Sequence, residues 1–228
     1  MTEALADEFV DRCEQIALDL RNELELGDQG RLDPRGLAGH WAIDVHSIER
    51  FRKTLPEEVR QLTEEDAKSF AAATVFCGTR CLILVNPSQT DPGEALSIAH
   101  ELAHLELEHE PTWPLFDEAG QRRCWRPNEE AEAEYLAGAL LVPRSGIEPV
   151  LSRLGRDPTK GAAHFGVGLG LLRRRVLAVW RKTPLWWPPI APADDGSEKE
   201  PPFVLRHLSE RSDDGGGSEP APAGSSAG

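Results

Sequence analysis

The chain has 228 residues, a net charge of -14 and 39% hydrophobic residues, enough for one sizeable core with a tail or for two small domains. Such an acidic balance excludes a general nucleic-acid binder, whose electrostatic footprint is basic, so direct DNA binding is not expected. The four cysteines, Cys13, Cys77, Cys81 and Cys124, form no C-x-x-C pair, the N-terminus is acidic and amphipathic rather than a signal peptide, and no run approaches the ~18 apolar residues of a membrane span. A cytoplasmic protein with free thiols and no membrane association is expected.

Residues 3 to 26 read as a helix, because Leu5, Phe9, Cys13, Ile16, Leu20 and Leu24 recur at spacings of three and four. Asp33-Pro34 opens a short second helix towards Gly39, Ala42 to Val45 suits a short edge strand, and Ser47 to Lys53 a helical turn. Pro56 to Phe70 is polar and expected to be helical, with Thr63 to Asp66 resembling a capping box. Ala72 to Cys77 and Cys81 to Asn86 are short, β-branched and apolar, and Gly78-Thr79-Arg80 between them predicts a hairpin. Cys77 and Cys81 flank that turn and read as strand thiols rather than ligands.

Asp91-Pro92-Gly93-Glu94 then looks like a helix start, with Asp91 as N-cap and Pro92 at the first helical position. No breaker follows until Pro111, and the helix carries His100-Glu101-Leu102-Ala103-His104, an H-E-x-x-H pattern. Residues i and i+4 share one helix face, so both imidazoles can point at one ion. Glu101 is offset by roughly 100°, within reach of a water on that ion. The pattern supplies two zinc ligands, His100 and His104, and a general base, Glu101. His109 lies in the last turn, where an imidazole interacts favourably with the helix C-terminus.

A third ligand must come from elsewhere. Asn128 to Leu141 is the second helix of interest, with Asn128 as its expected N-cap. Ala133, Leu136, Ala137, Leu140 and Leu141 form its apolar stripe, and Glu132 borders that stripe. A carboxylate facing the interior needs a partner, and a metal ion is a strong one. Glu132 is therefore the expected third ligand and Glu129 the reserve, while Glu130 and Glu134 read as a solvated face.

Ile98 to His104, with Leu82-Ile83-Leu84-Val85-Asn86 upstream and Glu132-Ala133 and Leu140-Leu141-Val142-Pro143 downstream, resembles the ImmA/IrrE family of metallo-endopeptidases. Ala162-Ala163-His164-Phe165-Gly166-Val167, followed by Leu172 and Arg174-Arg175-Val176, is similar to a further segment of that family, so the resemblance spans roughly residues 33 to 180. The chain departs from the family pattern at Gly93 to Leu96, at Leu136 and at Gly168. The resemblance implies an α+β, mostly helical, gluzincin-like domain with a small β-hairpin or sheet. It implies Zn²⁺ held by His100, His104 and Glu132, and Glu101 as catalytic base. The implied partner is a protein substrate, a helix-turn-helix transcriptional repressor, cleaved in stress responses or mobile-element control.

The remaining chain adds less. Residues 111 to 127, with Trp113 and Trp125, are irregular and suit a cover over the site. Lys160 to Lys182 holds six basic residues and no acidic one, and reads as the solvated basic face of a packing helix. The peptidase domain is expected over 1–188, with Trp186 and Trp187 packing its end, and a Pro/Gly/Ser/acid-rich disordered tail over 189–228. An oxyanion donor is expected from Tyr135, His109 or His164. The rival reading is a non-catalytic zinc-containing regulatory module that binds a transcription regulator or DNA; a structural zinc site, however, has no need of Glu101.

Overall fold

The computed structural model describes residues 5–78, 80–109 and 127–180. The expected cover over 111–127, apart from Pro127, the Trp-rich run and the acidic tail lie outside the described residues, as does Cys124. The architecture is α+β and mostly helical, around a small sheet. The helices are α1 (Asp7–Glu23), α2 (Pro34–His40), α3 (Pro56–Arg60), α4 (Asp91–Glu106), α5 (Pro127–Leu141), α6 (Arg144–Arg153), α7 (Pro158–Phe165) and α8 (Leu169–Trp180). The strands are β1 (Asp44–Ser47), β2 (Ala72–Cys77) and β3 (Arg80–Val85). No helix among the described residues is long and apolar enough to cross a membrane.

The sheet has the order β1-β3-β2, with β1 parallel and β2 antiparallel to β3. The expected hairpin forms, but β3 begins at Arg80, which pairs with Cys77 and shortens the connection. Gly78 supplies the left-handed conformation that this tight turn needs, at φ 62°. Both sheet faces are covered. Ala72, Ile83 and Val85 join the main core beneath α4, while Ala73, Val75 and Leu84 meet a second cluster with Ile48, Val59, Leu62 and Phe70. The alternation follows from the two-residue period of a strand.

The segment 56–70 differs from the single helix expected. It is a short α3 followed by a π-helical turn over Gln61–Glu65. Thr63 is no cap; its hydroxyl donates to the Val59 carbonyl at 2.8 Å. Asn86, buried at the end of β3, donates from Nδ2 to the carbonyls of Leu62, Ala67 and Phe70 at 3.0, 3.0 and 2.8 Å. The two N–H groups of one buried amide thus serve three carbonyls, one hydrogen being shared, and the local pattern does not reveal it.

The helices pack on a second layer. α5 lies against both α4 and α1, and α8 closes over α5 and α7. Two buried arginines from opposite ends of the chain fasten this layer. Arg21 donates to the carbonyls of Leu140, Gly27 and Gly30, which ties α1 to the C-terminus of α5. Arg175 pairs with Glu14 and donates from Nε to the Val142 carbonyl at 2.9 Å. Arg174 reaches Glu134 at 3.4 Å. Arg175 therefore does not belong to a solvated basic face; within Lys160–Lys182 it is an internal cross-link.

Candidate metal centre

α4 is capped by Thr90, not by Asp91; the Thr90 hydroxyl accepts from the Gly93 N–H at 3.3 Å, and Pro92 sits in the first turn. Asp91 and Glu94 place negative charge at the positive end of the helix dipole. Every residue from Ser97 to His104 is buried, because α4 is wedged between the sheet and α5. Burial of polar groups on this scale requires partners for each of them.

His100 and His104 present their Nε2 atoms to one another at 3.0 Å. The third member of the group is Glu130, whose carboxylate lies 3.3 Å from His100 Nε2 and 3.7 Å from His104 Nε2. One ligand atom from each of the three lies within 4.8 Å of the others. A tetrahedral ion with bonds of about 2.0–2.1 Å separates its ligand atoms by about 3.3 Å. The observed spacings and the donor set of two imidazole nitrogens and one carboxylate fit a divalent ion such as zinc. Burial opposes ionisation of Glu130, but the adjoining His100 and His104 outweigh it and hold the carboxyl at about 2. Glu130 thus stays the ionised donor that a cation requires.

Glu132 does not stand with the histidine pair. Its Oε2 lies 3.1 Å from His109 Nε2, and Glu129 does not enter the group. The expectation of Glu132 as the carboxylate beside His100 and His104 is corrected to Glu130. The physical reason is the environment of α5. A helix packed against one neighbour shows one apolar stripe, but α5 is buried on several sides, and Ala133, Leu136, Ala137, Ala139, Leu140 and Leu141 encircle it. A stripe drawn through Leu136 selects Glu132. The side that meets the α4 histidines carries Glu130 instead, which shares a line with Ala133 and Ala137 at i, i+3 and i+7.

Glu101 is 1% exposed and points at the sheet. Its Oε2 accepts from the Thr74 N–H at 2.8 Å and from the Thr74 hydroxyl at 2.7 Å. Thr74 is in β2, on the outer side of the sheet order, so its backbone N–H is free of strand pairing and available to the carboxylate. The sequence reading did not single out Thr74; a lone threonine in an apolar strand carries no signal until the strand is docked.

His109 is brought back against His104 by the end of α4. Glu108 adopts a left-handed conformation at φ 53°, the Glu108 N–H bonds the Leu105 carbonyl at 3.1 Å, and the His109 N–H bonds the His104 carbonyl at 3.0 Å. These two bonds make a Schellman motif, which sets the residue after the left-handed turn over the last full turn of the helix. His109 Nδ1 ends 2.8 Å from His104 Nδ1. Burial and the neighbouring His104 push the His109 imidazole below its ordinary pKa, against the pull of Glu132. The other two expected oxyanion donors are engaged elsewhere: the Tyr135 hydroxyl donates to Glu14 at 2.8 Å, and His164 Nε2 lies 2.8 Å from the Gln29 carbonyl.

Comparison with known proteins places the chain in a family. No curated protein sequence matches the chain. Among solved structures, the chain is similar to a Mycobacterium tuberculosis transcriptional regulator, at 17% identity and a TM-score of 0.47, over 75% of this chain. The chain spans 47% of that regulator. The sequence profile of the IrrE N-terminal-like domain, peptidase family M78, matches residues 58–177, from α3 to α8. The matched segment is more than half of the chain and contains His100, Glu101, His104 and Glu130, and the chain belongs to the IrrE N-terminal-like family of peptidase M78 domains.

Proposed function

We propose that the protein is a zinc-dependent endopeptidase, with His100, His104 and Glu130 as metal ligands and Glu101 as general base. The observation that carries this reading is the convergence of His100, His104 and Glu130 within 4.8 Å on one side of α4. When bound, zinc supplies Lewis-acid polarisation of the scissile carbonyl and makes a water more acidic. Thr74 holds Glu101 Oε2 with two hydrogen bonds, which fixes the direction in which the carboxylate faces. Glu101 takes a proton from the attacking water and passes it to the leaving amine nitrogen. Glu130, ionised and half-buried beside the imidazoles, compensates positive charge at the centre.

The proposed substrate is a helix-turn-helix transcriptional repressor, on the strength of the resemblance to the ImmA/IrrE family, and the proposed setting is cytoplasmic. The test uses purified full-length protein loaded with zinc, its metal content measured, and incubated with the repressor encoded beside its gene. Wild type is expected to cut the repressor, and Glu101→Gln to retain zinc while cleavage falls by about 10²–10⁴-fold, the span of general-base catalysis. Cleavage by Glu101→Gln at the wild-type rate would remove Glu101 from the mechanism. Wild-type protein that holds zinc and cuts no repressor would restrict it to a binding role.

A further inference from the structure

His109 and Glu132 lie beside the metal centre without belonging to it. We propose that they are positioning residues, a relay from Glu132 through His109 that fixes His104 in the tautomer able to bind an ion. The proposal rests on the ligand set given above.

With His104 Nε2 free to hold an ion, the hydrogen bonds of the relay have one consistent direction. For His104 Nε2 to offer a lone pair, the His104 proton must sit on Nδ1. That N–H faces His109 Nδ1 at 2.8 Å, which must then accept. His109 therefore carries its proton on Nε2, and donates it to Glu132 Oε2 at 3.1 Å. An ionised carboxylate can only accept, so Glu132 sets the tautomer of His109, and His109 sets that of His104. The competing arrangement protonates His104 on Nε2, towards His100 Nε2 at 3.0 Å. It leaves two lone pairs opposed between His104 and His109 for as long as Glu132 holds the His109 proton. Glu132 thus penalises the one tautomer that would close the metal centre.

The backbone supports the same arrangement. The Schellman turn places His109 over His104, so the ring contact that is usually apolar in this motif is here an imidazole pair, with centroids 5.0 Å apart. The His109 side chain is 8% exposed and that of Glu132 is 32% exposed. The relay therefore runs from a half-exposed carboxylate to a buried ligand. A carboxylate acting through an imidazole onto a metal-binding histidine is a familiar outer layer of zinc sites; here a second histidine is interposed.

The test measures zinc affinity by competition with a chromogenic chelator at fixed pH, in full-length wild type and in His109→Ala, Glu132→Ala, Glu132→Gln and Glu130→Gln. It also reads the His104 ring tautomer from ¹⁵N shifts in the zinc-free protein. Loss of an outer-layer partner is expected to weaken zinc by about 10–100-fold, in both His109→Ala and Glu132→Ala. Glu132→Gln, whose amide oxygen still accepts, should stay close to wild type, and Glu130→Gln should lose the most. Zinc-free wild type should show His104 protonated on Nδ1, and Glu132→Ala a mixture of tautomers. A wild-type His104 protonated on Nε2 overturns the relay without recourse to any variant. So does wild-type affinity in Glu132→Ala, and Glu132→Gln as weak as Glu130→Gln would make Glu132 a ligand instead. Undiminished affinity in Glu130→Gln would instead show that the ligand set itself is wrong, and the relay would fall with it.

Discussion

Cys13 shows how the residue scale is governed by burial. It lies fully buried in the main core, and loss of hydration pushes its thiol up from 9.0 to about 12. The thiolate is the nucleophile, so native Cys13 should resist alkylation by iodoacetamide at pH 8 and react only after denaturation, as read by peptide mass mapping. The same shift makes stability depend on pH. The folded thiol holds its proton more tightly than the unfolded one, so its contribution is intact below pH 9 and is lost between 9 and 12. Glu101 is buried and Glu130 half-buried, but each has found partners that an isolated carboxylate lacks: Thr74 for one, the histidine pair for the other.

At the scale of elements, the two ends of α4 do different work. The N-terminus is an ordinary capped start, with Thr90, Pro92 and acidic first-turn residues. The C-terminus is a Schellman turn in which Glu108 occupies the position that normally favours glycine, at φ 53°. A non-glycine residue there costs roughly 1–2 kcal/mol, offset in part by the greater freedom glycine has when unfolded. Glu108→Gly should therefore raise stability by up to about 1 kcal/mol in denaturant unfolding, with zinc affinity unchanged. A loss of stability would mean that the Glu108 side chain contributes something its exposed position does not suggest. The α4 motif was legible because its spacing is a property of one helix. The carboxylate that joins it was not, because α5 packs on several sides and its charged residues give no single direction.

At the scale of the molecule, the segment matched by the family profile begins at residue 58, yet α1 is fastened into the same core. Glu14 of α1 accepts from the Tyr135 hydroxyl of α5, from the Arg144 backbone N–H of α6 at 2.9 Å and from Arg175 of α8. The Arg175 guanidinium also lies 5.0 Å from the centroid of the Tyr135 ring. Removing one partner of a buried ion pair leaves an uncompensated charge, at a cost of about 3–5 kcal/mol. Glu14→Ala should lose that much in urea unfolding. A loss below about 1 kcal/mol, the level of an exposed pair, would show that water reaches this junction. The second helical layer that backs α5, and with it the position of Glu130, depends on residues outside the matched segment.

The sequence by itself determined the α+β class, the hairpin, the motif helix and the spacing that sets His100 and His104 on one face of it. Each of these depends on periodicity, turn chemistry or spacing within one element, which local stereochemistry imposes wherever the element ends up. Only the tertiary structure decided that Glu130 rather than Glu132 meets the imidazoles, that Thr74 holds Glu101, that His109 folds back on His104, and that Arg175 is an internal cross-link. Those outcomes depend on which face of one element meets another, and a helix buried on several sides carries no such direction in its own sequence.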